Sequence, residues 1–390
     1  MWRAALVVLA GCGRIGFDPY DRFLVTTALD RLAVPPGIAS IDDLPAELDD
    51  LSLREALAIA ANHPGPDRIE FDPDVFPAAI ALDSPLAVRG PDTTIDGTGR
   101  GVTVELAAGF DGTLFELGDR TRLVGLILHG GTAPRVDIDS ASNVEVVGND
   151  FTAPGSTAIR INNARDVVLR TGTFVDTTGT AIVLDRATGI TIDGVFITGA
   201  LGDPIAATDS SNLVIQDTTI VIAPTGGSGR GVVFTRVTRS QILDNLIDPG
   251  PARLISLEDS SNNEIVGNIL DRGDVGIGLF GASNANLVLR NVIAANVSEA
   301  MYIAATAGGN RILHNTLYMT SEIVDGAADT ELANNLEAAQ GFVDPDTYDF
   351  RLAPGNPAID AATDLGLDLL PDQPERFLGA APDLGAVETL

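Results

Sequence analysis

From residue 126 onward the chain repeats itself about every 23 residues, and no other property restricts its fold as much. Asn149, Asn245, Asn268, Asn291, Asn315 and Asn335 sit in similar short blocks, such as Ile265-Val266-Gly267-Asn268-Ile269-Leu270 and Ile312-Leu313-His314-Asn315-Thr316-Leu317. Leu126, Gly172, Val195 and Thr218 complete the series, with steps of 23, 23, 23, 23, 27, 23, 23, 24 and 20 residues. Three positions before each reference residue stand Leu123, Val146, Leu169, Ile192, Ile215, Ile242, Ile265, Val288, Ile312 and Leu332, all aliphatic. Two positions after it every residue but Glu337 is apolar. Alternating segments such as Ile159-Arg160-Ile161, Ile182-Val183-Leu184, Val232-Val233-Phe234 and Ile255-Ser256-Leu257 precede the blocks. Alternation with period two means strands with one face inward. Three short strands and their turns in each 23-residue period make one coil of a parallel β-helix. The alternation fits no helical-pair repeat, and a leucine-rich consensus is absent.

The Asn column has a physical cause. Each coil turns sharply between its second and third strands, and Asn tolerates the left-handed conformation such a turn needs. Stacked about 4.8 Å apart, the amides are expected to hydrogen-bond along a structural ladder. The Asp139-Ser140-Ala141-Ser142-Asn143, Asp209-Ser210-Ser211-Asn212 and Asp259-Ser260-Ser261-Asn262 segments read as self-bonding turns before they read as metal ligands.

Charge narrows the function classes. Among the 390 residues, 54 acidic side chains face 24 basic ones, giving a net charge of −30, and every basic residue is Arg. That field repels nucleic acid and anionic membrane surfaces, so neither is an expected partner. The absence of Lys removes P-loop ATPase, Schiff-base and Lys-based lyase chemistry. A single Cys excludes an internal disulfide and a Cys-rich zinc site. Calcium is attracted loosely to so acidic a surface, but no EF-hand-like ligand spacing supports a specific site, and no cofactor or metal is expected.

That Cys lies at a telling place. Arg3 supplies a positive charge, Ala4 to Ala10 are apolar, and Leu9-Ala10-Gly11-Cys12 follows. This resembles a bacterial lipoprotein signal, in which Cys12 becomes the lipid-modified first residue. No other segment approaches the roughly 20 apolar residues of a spanning helix. The expectation is residues 1–12 as signal, 13–40 as linker and membrane contact only through the lipid. Residues 41–110 read as an N-terminal cap with first coils, 111–340 as the repeats and 341–390 as a C-terminal cap.

Open β-helix ends pair with other chains unless covered. Ser52-Leu53-Arg54-Glu55 is a capping box. Leu53, Ala56, Leu57 and Ala60 continue as an apolar stripe, so a helix over 52–62 suits a lid. Leu51-Ser52-Leu53-Arg54-Glu55-Ala56, followed by Asp67 to Pro73 and Thr94-Ile95-Asp96-Gly97, resembles the C-S-L-R-E-A module of bacterial surface β-helix proteins, with Leu51 in place of the family Cys. Asp349 to Asp360 and Pro382-Asp383-Leu384-Gly385-Ala386 resemble the terminal segment of choice-of-anchor proteins. The resemblance implies an all-β, single-stranded, right-handed parallel β-helix of about ten or more coils in the pectin-lyase-like superfamily. It implies a lipid-anchored protein of the bacterial cell envelope, at the outer membrane or cell surface. That superfold hosts lyases, glycosidases, adhesins and tailspikes, so it assigns no chemistry.

Enzymes of this superfold usually work on the outer face of the first strand. Its central outward column is Arg160, Val183, Ala206, Val233, Ser256, Gly278 and Tyr302, and the next is Asn162, Asp185, Thr208, Thr235 and Glu258. A glycosidase needs two carboxyl groups about 5 to 9.5 Å apart, whereas Asp185 and Glu258 lie three coils, or about 14 Å, apart. No catalytic residue is assigned. His63 follows the cap helix, His129 precedes a turn, and His314 is placed in an exposed column beside Arg290. At the start of the first strand Asp203, Arg230 and Arg253 stack in successive coils, with Arg236 at the end of the strand that follows Arg230, and guanidinium groups suit the carboxylate or sulfate of an acidic glycan. The candidate ligand-binding set is Arg160, Asp203, Arg230, Arg253 and Tyr302. The expected protein is a monomer with a structural, adhesive or glycan-binding role towards a polysaccharide or cell-surface glycan. A polysaccharide lyase or glycoside hydrolase acting on an acidic glycan is the alternative.

Overall fold

In the computed structural model, which describes residues 21–40, 50–90, 92–153, 155, 157–222, 229–248, 252–337, 341–364 and 379–386, three long parallel sheets wrap one aliphatic core. Cys12 and Trp2 lie outside the described residues. The coils form a right-handed parallel β-helix of about 11 turns. Each turn contributes a first, a middle and a third strand. First strands, from Leu86–Val88 to Ile323–Asp325, make an 11-stranded sheet. Middle strands, from Asp21–Val25 to Glu331–Ala333, make one of 13, and third strands, from Ala79–Leu82 to Leu336–Glu337, one of 12. No helix among the described residues is long and apolar enough to cross a membrane.

The aliphatic columns read from the sequence are the core. Ile182, Ile205, Val232, Ile255, Ile277 and Met301 stack in register on the first-strand sheet, each at most 1% exposed. Burying such a side chain contributes about 1.5–3 kcal/mol, and each coil gains it only because its neighbours close the walls. Phe151 and Phe174 stack inside with ring centres 4.6 Å apart.

The Asn ladder forms, with one correction. The backbone N–H and Nδ2 of Asn245 both donate to Asn268 Oδ1, at 3.0 and 2.9 Å, and the pattern continues through Asn291, Asn315 and Asn335. Asn149 accepts from the Leu126 N–H at 2.9 Å. The left-handed conformation falls on the residue before each ladder Asn: Gly148, Asp244, Gly267, Arg290, His314 and Asn334 have φ between 52° and 70°. That residue makes the turn and frees the buried Asn to work as a hydrogen-bonding side chain.

A second ladder lies at the corner between first and middle strands. Leu213 N–H donates to Ser240, Ser240 to Asn263, Asn263 to Asn286 and Asn286 to Asn310, at 2.8–3.0 Å. Beside it, Ser210 and Ser260 accept from the Ala187 and Val237 amides. Their own hydroxyls donate to the Thr208 and Glu258 carbonyls, the self-bonding expected of those turns.

At the amino end Ser52 caps a helix over Leu53–Ala60, and the capping box is complete: Glu55 N–H donates to Ser52 Oγ and Ser52 N–H to Glu55 Oε2. Leu53, Ala56, Leu57, Ile59 and Ala60 are buried. The segment read as a linker differs from that expectation. Asp21–Val25 is a strand of the middle sheet, paired with Asp67–Phe71. Asp30 also holds Arg54 of the helix through a two-point ion pair at 2.7 and 2.8 Å.

The carboxyl-terminal segment lies along the flank of the coils, not across their end. Phe342–Asp344 and Asp349–Leu352 pair antiparallel. Phe342, Phe350, Leu352, Ala358 and Leu384 pack with Val292 and Ala294 against Ile269, Tyr318 and Leu336 of the third-strand sheet. Arg290 donates to the Asp383 carbonyl at 2.7 Å and Gly385 N–H to the His314 carbonyl at 3.0 Å. His314, placed in an exposed column by the sequence, is therefore buried, at 3% exposed. Burial, together with the Arg290 charge, lowers its pKa. At the end itself Leu332 remains 46% exposed.

One ionic cluster fastens this flank. Arg272 pairs with Asp248 at 2.6 Å and with Asp271 at 3.1 Å, and Tyr348 of the terminal segment hydrogen-bonds Asp248. Burial, then the Asp248 charge, push the Asp271 carboxyl up to about 6 against the lowering by Arg272; Asp346 adds to the rise. Asp346 lies on the docked segment and is one cause of the rise, so the docked state holds this proton more tightly than the free one. Docking is thus strengthened as pH falls through about 6 and weakened above it. Hydrogen exchange of 342–352, corrected for intrinsic rates, should be slower at pH 5 than at pH 7.5. Equal protection at both would contradict this assignment.

Candidate functional site

The outer face of the first-strand sheet carries the central column in the expected register: Arg160, Val183, Ala206, Val233, Ser256, Gly278 and Tyr302 pair in sequence, with Asp137 before and Val324 after. The neighbouring column runs through Asp185, Thr208, Thr235 and Glu258 to Phe280.

Arg230 is the hub of the predicted cluster. Its backbone N–H donates to Asp203 Oδ1 at 2.7 Å, its Nη2 lies 3.0 Å from Asp203 Oδ2, and its Nη1 lies 2.7 Å from Glu258 Oε1. The side chain so bridges the preceding coil and the following one. Arg236 pairs at 2.6 Å with Asp209, both largely exposed, and such a pair contributes little. Arg160 is held at two points by Asp137, three coils before Arg230 and about 14 Å away by the strand spacing. The structure does not bring it to the others.

Arg253 makes a different contact. Its guanidinium carbon lies 4.1 Å from the centre of the Phe280 ring, and Phe280 stacks on Tyr302 at 5.3 Å with 20° between planes. Among the described residues Arg253 has no ion pair. A guanidinium over an aromatic face is attracted by the ring quadrupole and leaves its donors free at the edge. Sequence reasoning missed Phe280. The signal was Gly278: a Cβ there would sit 2.2 Å from a Phe280 ring carbon, so only glycine lets the ring lie across the face.

Asp185 and Glu258 are three coils apart, as read from the sequence, and Glu258 is occupied by Arg230. The three His residues lie elsewhere. His63 sits 2.7 Å from both Asp21 and buried Asp67, whose carboxyl burial pushes up to about 6 against the lowering by His63. His129 contacts Thr152 at 3.0 Å. Near the amino end a shallow groove lined by Thr94, Arg120, Arg122, Asn143 and Glu145 has both its arginines already ion-paired at 2.9 Å, with Asp92 and Glu145.

Comparison with known proteins agrees with this architecture. The family described as right handed beta helix region matches residues 117–227, and that described as periplasmic copper-binding protein (NosD) matches residues 225–337. A search of curated proteins gives no match. Among solved structures, the ORF18 protein of Geobacillus virus E2 superposes with a TM-score of 0.53 at 9% identity, over 70% of this chain and 53% of that one. The tailspike protein of E. coli bacteriophage HK620, solved with a hexasaccharide, gives 0.54 at 12% identity, over 70% and 58%. The mannuronan C-5 epimerase A-module of Azotobacter vinelandii gives 0.51 at 15% identity, over 72% and 89%. The chain thus spans only about half the length of the two phage proteins.

Copper does not suit the matched region. Its sole His, His314, is buried beside Arg290, of its two Met residues Met301 is in the core while Met319 is exposed, and no Cys is present. No group of three or more His, Cys, Asp or Glu side chains among the described residues converges as a metal site. What the repeat, the three parallel sheets and both family matches share is a coil architecture, and by it the chain belongs to the right-handed β-helix superfamily.

Proposed function

We propose that this protein is a glycan-binding component of the bacterial cell envelope, tethered through Cys12, with an adhesive or structural role. The Arg253–Phe280–Tyr302 stack carries the reading, because aromatic faces pack on pyranose rings while guanidinium groups take their carboxylate or sulfate substituents. The hexasaccharide bound to the HK620 tailspike and the mannuronan named for the Azotobacter epimerase give a glycan ligand further support.

The test is incubation of residues 13–390 with a panel of acidic polysaccharides, with and without calcium, scoring binding, unsaturated-uronate absorbance and reducing ends. Binding without turnover is expected, and Tyr302→Ala should weaken it about tenfold. Turnover on any substrate would hand the reading to the lyase or hydrolase. Labelled palmitate fed to bacteria making the full chain should enter the protein, and should not enter a Cys12→Ser variant.

A further inference from the structure

Val233 and Ser256 point outward yet are hidden. Register sets both side chains on the outer face of the first-strand sheet, and they are only 3% and 0% exposed. Three side chains of the same face lie close by. The Phe280 ring lies across Gly278, in register with Ser256, and Arg253 rests on that ring. Arg230 reaches from Asp203 to Glu258 over the coil that carries Val233.

Beneath this cover Ser256 Oγ is fully buried and has no hydrogen-bond partner. Buried hydroxyls are nearly always satisfied, because an unpaired one is destabilising. An unpaired hydroxyl on this face can take a hydrogen bond from or give one to a ligand that displaces its cover. The two anchors of the Arg230 bridge are also unequal. Asp203 accepts from both the backbone and the side chain of Arg230, whereas Glu258 holds it through Nη1 alone and is more exposed.

We propose that Arg230, Arg253 and Phe280 form a displaceable cover over a subsite for a carboxylate-bearing sugar. The ligand carboxylate replaces Glu258 at Arg230 Nη1, the pyranose ring packs against Tyr302, and a sugar hydroxyl pairs with Ser256 Oγ. Exchange of one carboxylate for another keeps the guanidinium paired throughout and returns Glu258 to water. The arrangement rests on the glycan-binding reading and adds selection for the free acid. Glu258 acts as an internal competitor that excludes neutral sugars.

Hexamers of galacturonate, mannuronate and glucuronate, each beside its methyl ester, test it by calorimetric titration. At least one acid form should bind about tenfold more tightly than its ester. Glu258→Gln, which keeps size but removes the competing charge, should tighten the acid form about fivefold and raise the affinity of the ester as well. Ser256→Ala should weaken binding several-fold while raising the thermal midpoint, since the orphan hydroxyl is gone. A merely structural Ser256 would not move affinity and stability in opposite directions. Equal affinity for acid and ester, or a Glu258→Gln variant no tighter than wild type, overturns the cover while glycan binding stands. No binding of any hexamer overturns the subsite, and the glycan-binding reading falls with it when the wider polysaccharide panel is silent too.

Discussion

Asn268→Ala should destabilise the protein by about 4 kcal/mol, because it strips the buried Asn245 N–H and side chain of their acceptor and the Ile242 and Val266 carbonyls of a donor. Asn268 Oδ1 accepts from the backbone and side chain of Asn245, while its Nδ2 donates to the Ile242 and Val266 carbonyls and to Asn291 Oδ1. Alanine fills none of these roles, and the flat packing of the coils leaves no path for water. The same substitution at Asn335, half-buried where the ladder ends, should cost only about 1 kcal/mol. Guanidinium unfolding followed by circular dichroism measures both. Similar small losses at the two positions would mean that the ladder is ornamental and that the aliphatic columns alone hold the coils.

Arg272→Met should release the carboxyl-terminal segment from the flank. The methionine keeps the aliphatic stem but strips Asp248 and Asp271, buried in adjacent coils, of the guanidinium between them. Asp248 and Asp271 are buried but Arg272 is itself about half exposed, so losing it costs about 1–3 kcal/mol, and here the cheapest relief is for Tyr348 and its hairpin to lift away. Limited proteolysis should then cut within 342–352, while coils such as Ile159–Asp193 keep their protection. Cleavage should slow at pH 5, where Asp271 takes up the proton that offsets the lost cation. An uncut segment at pH 7.5 would show that the apolar contacts of Phe342, Phe350 and Leu384 suffice.

The sequence carries most of this architecture because a coil fold is written in local repetition. Aliphatic residues 23 apart became buried columns, the outward register from Arg160 to Tyr302 held through its shift at Gly278, and Ser52 and Glu55 closed their capping box. Repetition also hid things. The regular Asn column drew the left-handed turn onto itself, when the variable residue before it makes that turn. The ladder from Ser240 to Asn310 steps by 23, 23 and 24 residues but opens on Ser instead of Asn, which disguised it. Contacts across long separations left no periodic trace: Tyr348 meets Asp248 100 residues away, and Arg290 meets Asp383. Within the site, Asp203 and Arg230 were legible as stacked charges. Phe280 was not, because its place depends on a missing side chain in its own strand.

The two terminal segments grip opposite parts of the coil stack. The amino-terminal strand and helix close on the first turns, and the hairpin beds on strands from Leu246–Asp248 onward. Among the described residues, the turns between about 130 and 220 make no hydrogen bond or ion pair to either clamp. They serve as a spacer whose length can change in whole units of about 4.8 Å, each carrying its own hydrogen bonds and its own share of core. Added or lost turns would lengthen or shorten the distance from the amino terminus to the Arg253–Phe280–Tyr302 face without rebuilding either fastening. With the tether proposed at Cys12, duplication alone would then fit the protein to envelopes of different depth.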